Sequence, residues 1–174
     1  MSIEISNETD WSIEPKLFVD LATFVLKQLK VSTDSDLSLT FIDPESIAVL
    51  HEKWMNLLGP TDVMSFPMDE IRPGVETGQE EEGILGDIVI CPDVAERQAL
   101  AAGHSTIEEI MLLETHGILH LLGFDHINQS EEHRMFALQR QLLLTFLAQR
   151  PGTLQEVIHR PDTNNALKQY YSEQ

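Results

Sequence analysis

A helix that presents two histidines together is the feature that most restricts how this chain can fold. Ser105 and Glu108 form an S-x-x-E capping box, which predicts the start of a helix that runs to about Leu122. Side chains four residues apart on a helix leave from the same face. His116 and His120 have this spacing, so both can reach one metal ion.

A third histidine completes the stretch HGILHLLGFDH (116–126). Gly123 is placed to end the helix with a positive φ, and His126 then approaches from a non-helical direction. The spacing is that of the zinc-peptidase pattern H-E-x-x-H-x-x-G-x-x-H. Zinc binds nitrogen ligands in a tetrahedron, and three protein ligands leave one corner open for water, which is typical of a catalytic site. Because Cys91 is the only cysteine, thiolates cannot form the site. We predict one zinc ion per chain, held by His116, His120 and His126, with His116 also counted as catalytic.

The general base of the peptidase pattern is missing, because Gly117 stands where that pattern has glutamate. Glu114 lies about 160° around the helix from His116, and we interpret it as a paired structural carboxylate that faces away. The metal is then the activator, since zinc lowers the pKa of bound water to about 7 and makes hydroxide available. Gly117 is expected to leave room beside the ion, which suits an anionic phosphodiester better than a peptide. Asp125 either orients His126 or stabilises the turn.

The composition restricts the class of protein. The chain has 174 residues, 42% of them hydrophobic, so we expect one metal-dependent hydrolase domain over 1–150 and a polar, loosely ordered tail over 151–174. A net charge of −18 argues against non-specific binding to nucleic acid, and DNA is not an expected partner. The N-terminus lacks the apolar run of a secretory signal, and the apolar stretches are too short to span a bilayer. We therefore expect a cytoplasmic protein without membrane association, and the sequence leaves its oligomeric state open.

Periodicity and capping residues predict a mixture of helices and strands. Asp43 and Ser130 are the expected N-caps of the second and last helices. The acidic stretch 69–83 lacks periodicity, so we expect a surface loop, with a lid over the substrate as the alternative. The predicted helices cover about 15–30, 44–57, 92–102, 105–122 and 130–149, and the predicted strands 37–42, 61–67 and 84–91.

The histidine stretch closely resembles the motif H-G-x-L-H-L-x-G-[YF]-D-H of the YbeY family, the bacterial rRNA maturation endoribonucleases. PTDVMSFP (60–67) and ILGDIVIC (84–91) resemble the strand motifs of that family, in the same order. The resemblance covers roughly residues 37–147. It implies an α+β fold in which a small mixed β-sheet packs against helices, with a zincin-like central helix carrying two of the histidine ligands.

The resemblance also implies a function. The expected activity is zinc-dependent cleavage of single-stranded RNA, in maturation of the small-subunit rRNA 3′ end and in ribosome quality control, with rRNA of the small ribosomal subunit as partner. Asp125 and the strand residues that match the family motif are expected to line the substrate cleft. These strand residues are Thr61, Asp62, Ser65 and Phe66.

One position departs from the family pattern. Met55 stands where many members have an arginine, whose planar guanidinium would be the natural phosphate clamp. Lys53, Arg72 and Arg97 are the cations that could replace it. Two other functions remain open: a zinc hydrolase of another substrate, with peptide as the obvious rival, and a non-catalytic ribosome assembly factor in which zinc fixes the His126 loop.

Overall fold

A mixed β-sheet with helices on both faces forms the protein. The computed structural model describes residues 2–32, 34–71, 73, 83–150, 154 and 157–161. The helices are α1 (Pro15–Gln28), α2 (Pro44–Met55), α3 (Pro92–Ala102), α4 (Thr106–Leu121) and α5 (Gln129–Gln149). The strands are β1 (Ser2–Asn7), β2 (Ser12–Ile13), β3 (Asp36–Phe41), β4 (Val63–Pro67), β5 (Ile84–Ile90) and β6 (Ile158–His159).

The main sheet has the strand order β1-β3-β5-β4. β1, β3 and β5 run parallel, whereas β4 pairs antiparallel with β5 and forms one edge of the sheet. The pairing sets Ser65 opposite Ile88 and Phe66 opposite Asp87, so Ser65 and Phe66 leave β4 on opposite faces. The small mixed sheet packed against helices confirms the expected fold class.

The two faces of the sheet have separate apolar clusters. The larger cluster joins β3 and β5 to α1, α4 and α5, with Phe18, Phe41 and Ile110 fully buried. The smaller cluster joins Ile47 of α2 to Met64 of β4. Helix α2 thus covers the face that carries Phe66, while α4 covers the face that carries Ser65.

Helix α4 is the centre of the domain. It contacts α1, α3, α5, β4 and β5, as the resemblance implied. The predicted capping box is present in both directions: the Glu108 backbone N–H donates to Ser105 Oγ at 3.3 Å, and the Ser105 N–H donates to Glu108 Oε2 at 3.1 Å. The chain leaves the helix through Gly123 at φ 94°, which confirms the expected left-handed turn.

Gly117 has a different structural role from the one expected. A Cβ atom at this position would lie 3.0 Å from Ile88 Cγ2, 3.1 Å from Ile88 Cδ1 and 3.2 Å from Ser65 Oγ. The glycine therefore allows α4 to lie close against β4 and β5. The expectation that it leaves room beside an ion is wrong, because Ile88 and Ser65 occupy that space.

Several predicted boundaries also differ from the structure. Asn128 caps α5, its side chain accepting a hydrogen bond from the Glu131 N–H at 2.9 Å, so the assignment of that cap to Ser130 is wrong. β4 begins at Val63 and leaves Thr61 and Asp62 in the preceding loop. Strand β1 was not predicted. Most of the acidic stretch, at positions 72 and 74–82, lies outside the described residues, and so does the prediction of a loop or lid there.

The division of the chain at residue 150 stays a prediction. Among the described residues of the tail, Ile158 and His159 pair with Ile13 and Ser12, and the Arg160 Nε atom lies 3.3 Å from Glu96 Oε2. Within the described ranges, no helix has both the length and the apolar composition needed to cross a membrane.

Candidate metal centre

The three histidines of the sequence motif come together at the C-terminal end of α4. Their candidate ligand atoms all lie within 4.8 Å of one another. His116 and His120 project from successive turns, and their Nε2 atoms are 3.0 Å apart. This is close to the roughly 3.3 Å between two corners of a tetrahedron whose nitrogen ligands lie about 2.0–2.1 Å from zinc. His126 reaches the same point from the loop that follows Gly123.

Helix α5 fixes the tautomer of His116. The Nδ1–H of His116 donates a hydrogen bond to Oε1 of Gln139 at 2.9 Å. The proton is therefore on Nδ1, and the Nε2 lone pair is available for a metal. Burial lowers the pKa of His116 and His120 below the ordinary value of 6.5. Both rings are thus held in the neutral form that a metal requires.

The loop that carries His126 is fixed by its neighbour. Asp125 Oδ1 accepts a hydrogen bond from the backbone N–H of His126 at 2.7 Å. The sequence left open whether Asp125 orients His126 or stabilises the turn. This contact to the backbone is of the turn-stabilising kind. Three imidazole nitrogens with one free corner form a donor set that fits zinc, and two of the three rings are half-buried.

The histidines lie in a cleft between α2, β4, α4 and α5. Thr61, Asp62, Ser65, Phe66 and Asp125 all line the same cleft, so the structure brings every predicted cleft residue to the histidine site. Asp62 Oδ1 accepts from the Val63 N–H at 2.8 Å and thereby fixes the start of β4. The Ser65 hydroxyl donates to the Gly117 carbonyl at 3.2 Å, which ties β4 to α4.

The cleft is acidic and contains no cationic side chain among the described residues that line it. Asp62, Glu109 and Asp125 contribute carboxylates. Met55, the residue at the expected place of the family arginine, lines the cleft and is 58% exposed. Of the three alternative cations, Lys53 lies beside the cleft, with its Nζ 5.3 Å from the centre of the Trp54 ring. Arg97 is on α3, away from the cleft lining, and Arg72 lies outside the described residues.

Trp54, Phe136 and Gln139 are among the cleft residues that sequence reasoning missed. The Phe136 ring is nearly parallel to those of His116 and His126, with centroid distances of 6.0 and 6.2 Å. Phe136 and Gln139 are three residues apart on α5, so they share one face. The helix itself was predicted, but its sequence does not indicate that this face points to the histidines.

Glu114 is not the paired carboxylate that was predicted. It faces the core, as its helical position indicated, and is only 1% exposed. Neither of its oxygens has a hydrogen-bond partner among the described residues. Burial raises the pKa of this carboxyl well above its ordinary value, so the neutral acid is favoured. A buried, neutral group on the core side of α4 cannot act as a base in the cleft.

Comparisons with known proteins agree over nearly the whole chain. The family model described as endoribonuclease YbeY matches residues 3–147. Endoribonuclease YbeY from Bifidobacterium adolescentis is 59% identical over 170 residues, 98% of this chain and 93% of the relative. The protein of the same name from Beutenbergia cavernae is 56% identical over 150 residues, 86% of this chain and 100% of the relative. A solution structure of a Thermotoga maritima protein has a similar fold, with a TM-score of 0.57 and 24% identity, covering 84% of this chain and 89% of that one.

Proposed function

Because the chain belongs to the YbeY family of endoribonucleases, we propose that it hydrolyses single-stranded RNA with one zinc ion held by His116, His120 and His126. The observation that carries this proposal is the convergence of the three imidazoles in an open cleft. Family membership supports phosphodiester bonds of RNA as the substrate. The all-imidazole donor set supports zinc as the ion.

The chain's own residues set the chemistry of the site. Zinc, if bound by the three histidines, would supply Lewis-acid activation of water. His116 presents Nε2 because Gln139 accepts its Nδ1–H, and Asp125 holds the backbone of His126 in place. Glu114 is buried in the core, so it does not serve as the general base that takes a proton from water. His116 is counted as catalytic in this proposal because it would hold the ion.

The decisive experiment combines metal analysis with RNA cleavage. Purified wild-type protein should contain about one zinc per chain and cleave an unpaired oligoribonucleotide. His120→Ala should lose both the metal and the cleavage, and so should chelator-treated protein until zinc is returned. His159→Ala is the matched control, since His159 is an exposed histidine on β6 and its variant should retain both. Cleavage by nuclease-free His120→Ala protein would overturn the proposal.

We propose, from the resemblance of the histidine motif, that the natural substrate is small-subunit rRNA at its 3′ end. The protein would then act on the ribosomal small subunit in the cytoplasm and contribute to ribosome quality control. Cells in which His120→Ala replaces the wild-type protein should accumulate small-subunit rRNA with unprocessed 3′ ends. Normal ends in those cells would contradict this assignment, even if the purified protein cleaves RNA.

A peptidase is the second candidate, and one observation favours it. β4 is an edge strand that borders the histidine site, and an extended peptide can pair with such an edge. Peptide hydrolysis would nevertheless lack the glutamate base, because Gly117 faces the sheet. Turnover of a peptide library by the zinc-loaded protein, without RNA cleavage, would decide in favour of the peptidase.

A further inference from the structure

We propose that Trp54 and Phe136 are stacking platforms for the bases of unpaired RNA on two walls of the cleft, and that they replace the missing phosphate clamp. This inference rests on the proposed RNA cleavage and identifies what holds the substrate there. Both aromatic residues lie outside the histidine motif, and the inference gives them a role in binding RNA.

Electrostatics alone cannot hold RNA in this cleft. The chain has a net charge of −18, and among the described residues that line the cleft there are three carboxylates and no lysine or arginine. Phosphate contacts normally supply most of the affinity of a protein for nucleic acid. A ribonuclease with this lining needs another attractive interaction, and aromatic stacking provides one that does not depend on charge.

Trp54 has an exposed ring at the C-terminal end of α2. The side chain is 60% exposed, although large aromatic residues are usually well buried. Its contact with Phe66 is edge-on, with the ring centroids 6.0 Å apart and the planes at 72°. The Lys53 ammonium lies over the ring, 5.3 Å from its centre, so a base would stack on the opposite face or displace this flexible side chain toward its own phosphate. Trp54 therefore combines a largely exposed side chain with a nearby partner for a phosphate.

Phe136 has the same role next to the histidines. It is 39% exposed, and its plane lies within about 20° of those of His116 and His126. A base stacked on Phe136 would lie beside the metal ligands, with its phosphate close to the reactive centre. Phe136 also borders a shallow groove on α5 that contains Arg134 and Arg140, so the backbone of the strand can meet cations where it leaves the cleft.

The arrangement would favour single-stranded over double-stranded RNA. Bases in a duplex are stacked on one another and cannot lie on a protein ring, whereas unpaired bases can turn outward onto Trp54 and Phe136. Every base has a π-face, so the platforms should select for the unpaired state more than for sequence.

The test uses the intrinsic fluorescence of the full-length protein. The chain has two tryptophans, and Trp11 is buried at 6% exposure, with its Nε1–H bound to Asp93. Unpaired oligo(A) added to chelator-treated protein should quench Trp54, and a hairpin of equal length should not. The Trp54→Phe variant, in which only Trp11 fluoresces, should lose the quenching but keep most of the affinity measured by anisotropy of a labelled oligonucleotide.

Truncation of either ring should weaken binding. Trp54→Ala and Phe136→Ala should each raise the Kd for unpaired oligo(A) by about 5- to 150-fold, the range given by the loss of one stacked base. In zinc-loaded protein the KM for cleavage should rise by a similar factor, with a smaller change in kcat. Phe136→Tyr keeps a ring, so its Kd should be lower than that of Phe136→Ala. Leu100→Ala is the matched control, because Leu100 is 76% exposed on α3 and does not line the cleft.

The outcomes separate this inference from the proposed function. If wild-type protein cleaves RNA and both alanine variants keep its Kd and KM, the platforms are wrong and the nuclease stands. If oligo(A) quenches Trp54 and the alanine variants weaken binding while zinc-loaded protein cleaves no RNA, the platforms stand and the nuclease is wrong. Equal quenching by oligo(A) and by the hairpin would overturn stacking as the source of single-strand preference.

Discussion

Glu114 allows a quantitative prediction about the stability of the fold. Its carboxyl group is buried without a hydrogen-bond partner among the described residues. Burial raises its pKa well above the ordinary value of 4.5, so the folded protein retains this proton to a higher pH than the unfolded chain does. Each pH unit of this difference is worth about 1.4 kcal/mol. At pH 7, which is roughly 2.5 units above 4.5, the resulting loss in the free energy of unfolding can therefore reach at most about 3 kcal/mol.

Glu114→Gln keeps the shape of the side chain and removes this proton uptake. The variant should therefore unfold at pH 7 with a free energy higher than that of the wild type by up to about 3 kcal/mol, and the difference should shrink as the pH falls toward 4.5. The contribution of Glu114 to wild-type stability is fully present below the pKa of this group in the unfolded chain. It is lost as the pH rises toward the higher pKa that the group has in the folded protein. Glu114→Met also removes the unsatisfied polar atoms, which should add about 1–3 kcal/mol at every pH.

Urea denaturation of the metal-free protein, at several pH values between about 5 and 8, measures these differences. Glu52→Gln is the control, since Glu52 is exposed on α2 and surface substitutions usually change stability by less than about 0.5 kcal/mol. The m-value should stay constant, so that the midpoint reports stability. A Glu114→Gln variant that is less stable than the wild type at pH 7, or a gain that does not depend on pH, would refute the reasoning.

Three further predictions concern the helix packing, the histidine site and the binding of RNA. Gly117→Ala should lower the free energy of unfolding. Overpacking against Ile88 costs about 1–3 kcal/mol, whereas the gain in helix propensity is at most about 1 kcal/mol. In a double-mutant cycle, the loss of stability should be smaller in an Ile88→Val background. Gln139→Leu should weaken zinc binding by about 10- to 100-fold in a chelator competition, because the Nδ1–H of His116 loses its acceptor. The control Gln141→Leu, on the exposed side of α5, should leave zinc binding unchanged. The slope of log K against log salt for unpaired RNA should be no steeper than about −2, because the inference involves three cations: Lys53 over the Trp54 ring, and Arg134 and Arg140 in the groove that Phe136 borders. A steeper slope would reveal further phosphate contacts.

The elements that the sequence predicted well are those with local chemical signals. The capping box at Ser105, the Asp43 cap and the left-handed Gly123 each act within one helical turn, so neighbouring residues suffice to identify them. Strand β1 lacks such a signal, because only Ile3 and Ile5 alternate and its partner β3 lies about thirty residues away. The cap of α5 was misplaced because Asn128 and Ser130 are both good capping residues, and only the backbone conformation selects between them.

The residues of the candidate site also fall into two groups, those predicted from local sequence and those placed by tertiary packing. The three histidines lie within one short stretch, so helix geometry and a glycine turn were enough to bring them together. Trp54, Phe136 and Gln139 come from two other helices, and only the packing of α2 and α5 around α4 places them there. The sequence did indicate the region of the cleft that differs from the family pattern, because Met55 stands at the expected place of the arginine. Its neighbour Trp54 lines the same wall of the cleft.

Gly117 shows why a motif position and a structural position can differ. The residue after the first histidine supplies the base in the peptidase pattern, but here that side of α4 rests on the sheet. Gly86 of β5 serves the same packing, since a Cβ atom there would overlap the Phe66 carbonyl oxygen and lie 3.0 Å from Leu121 Cδ2. A glycine on the helix and a glycine on the strand therefore both allow α4 to lie beside edge strand β4. A glutamate at position 117 would have to displace Ile88 or Ser65, so in this fold the close packing that sets His116 and His120 beside the cleft also excludes a base at that position.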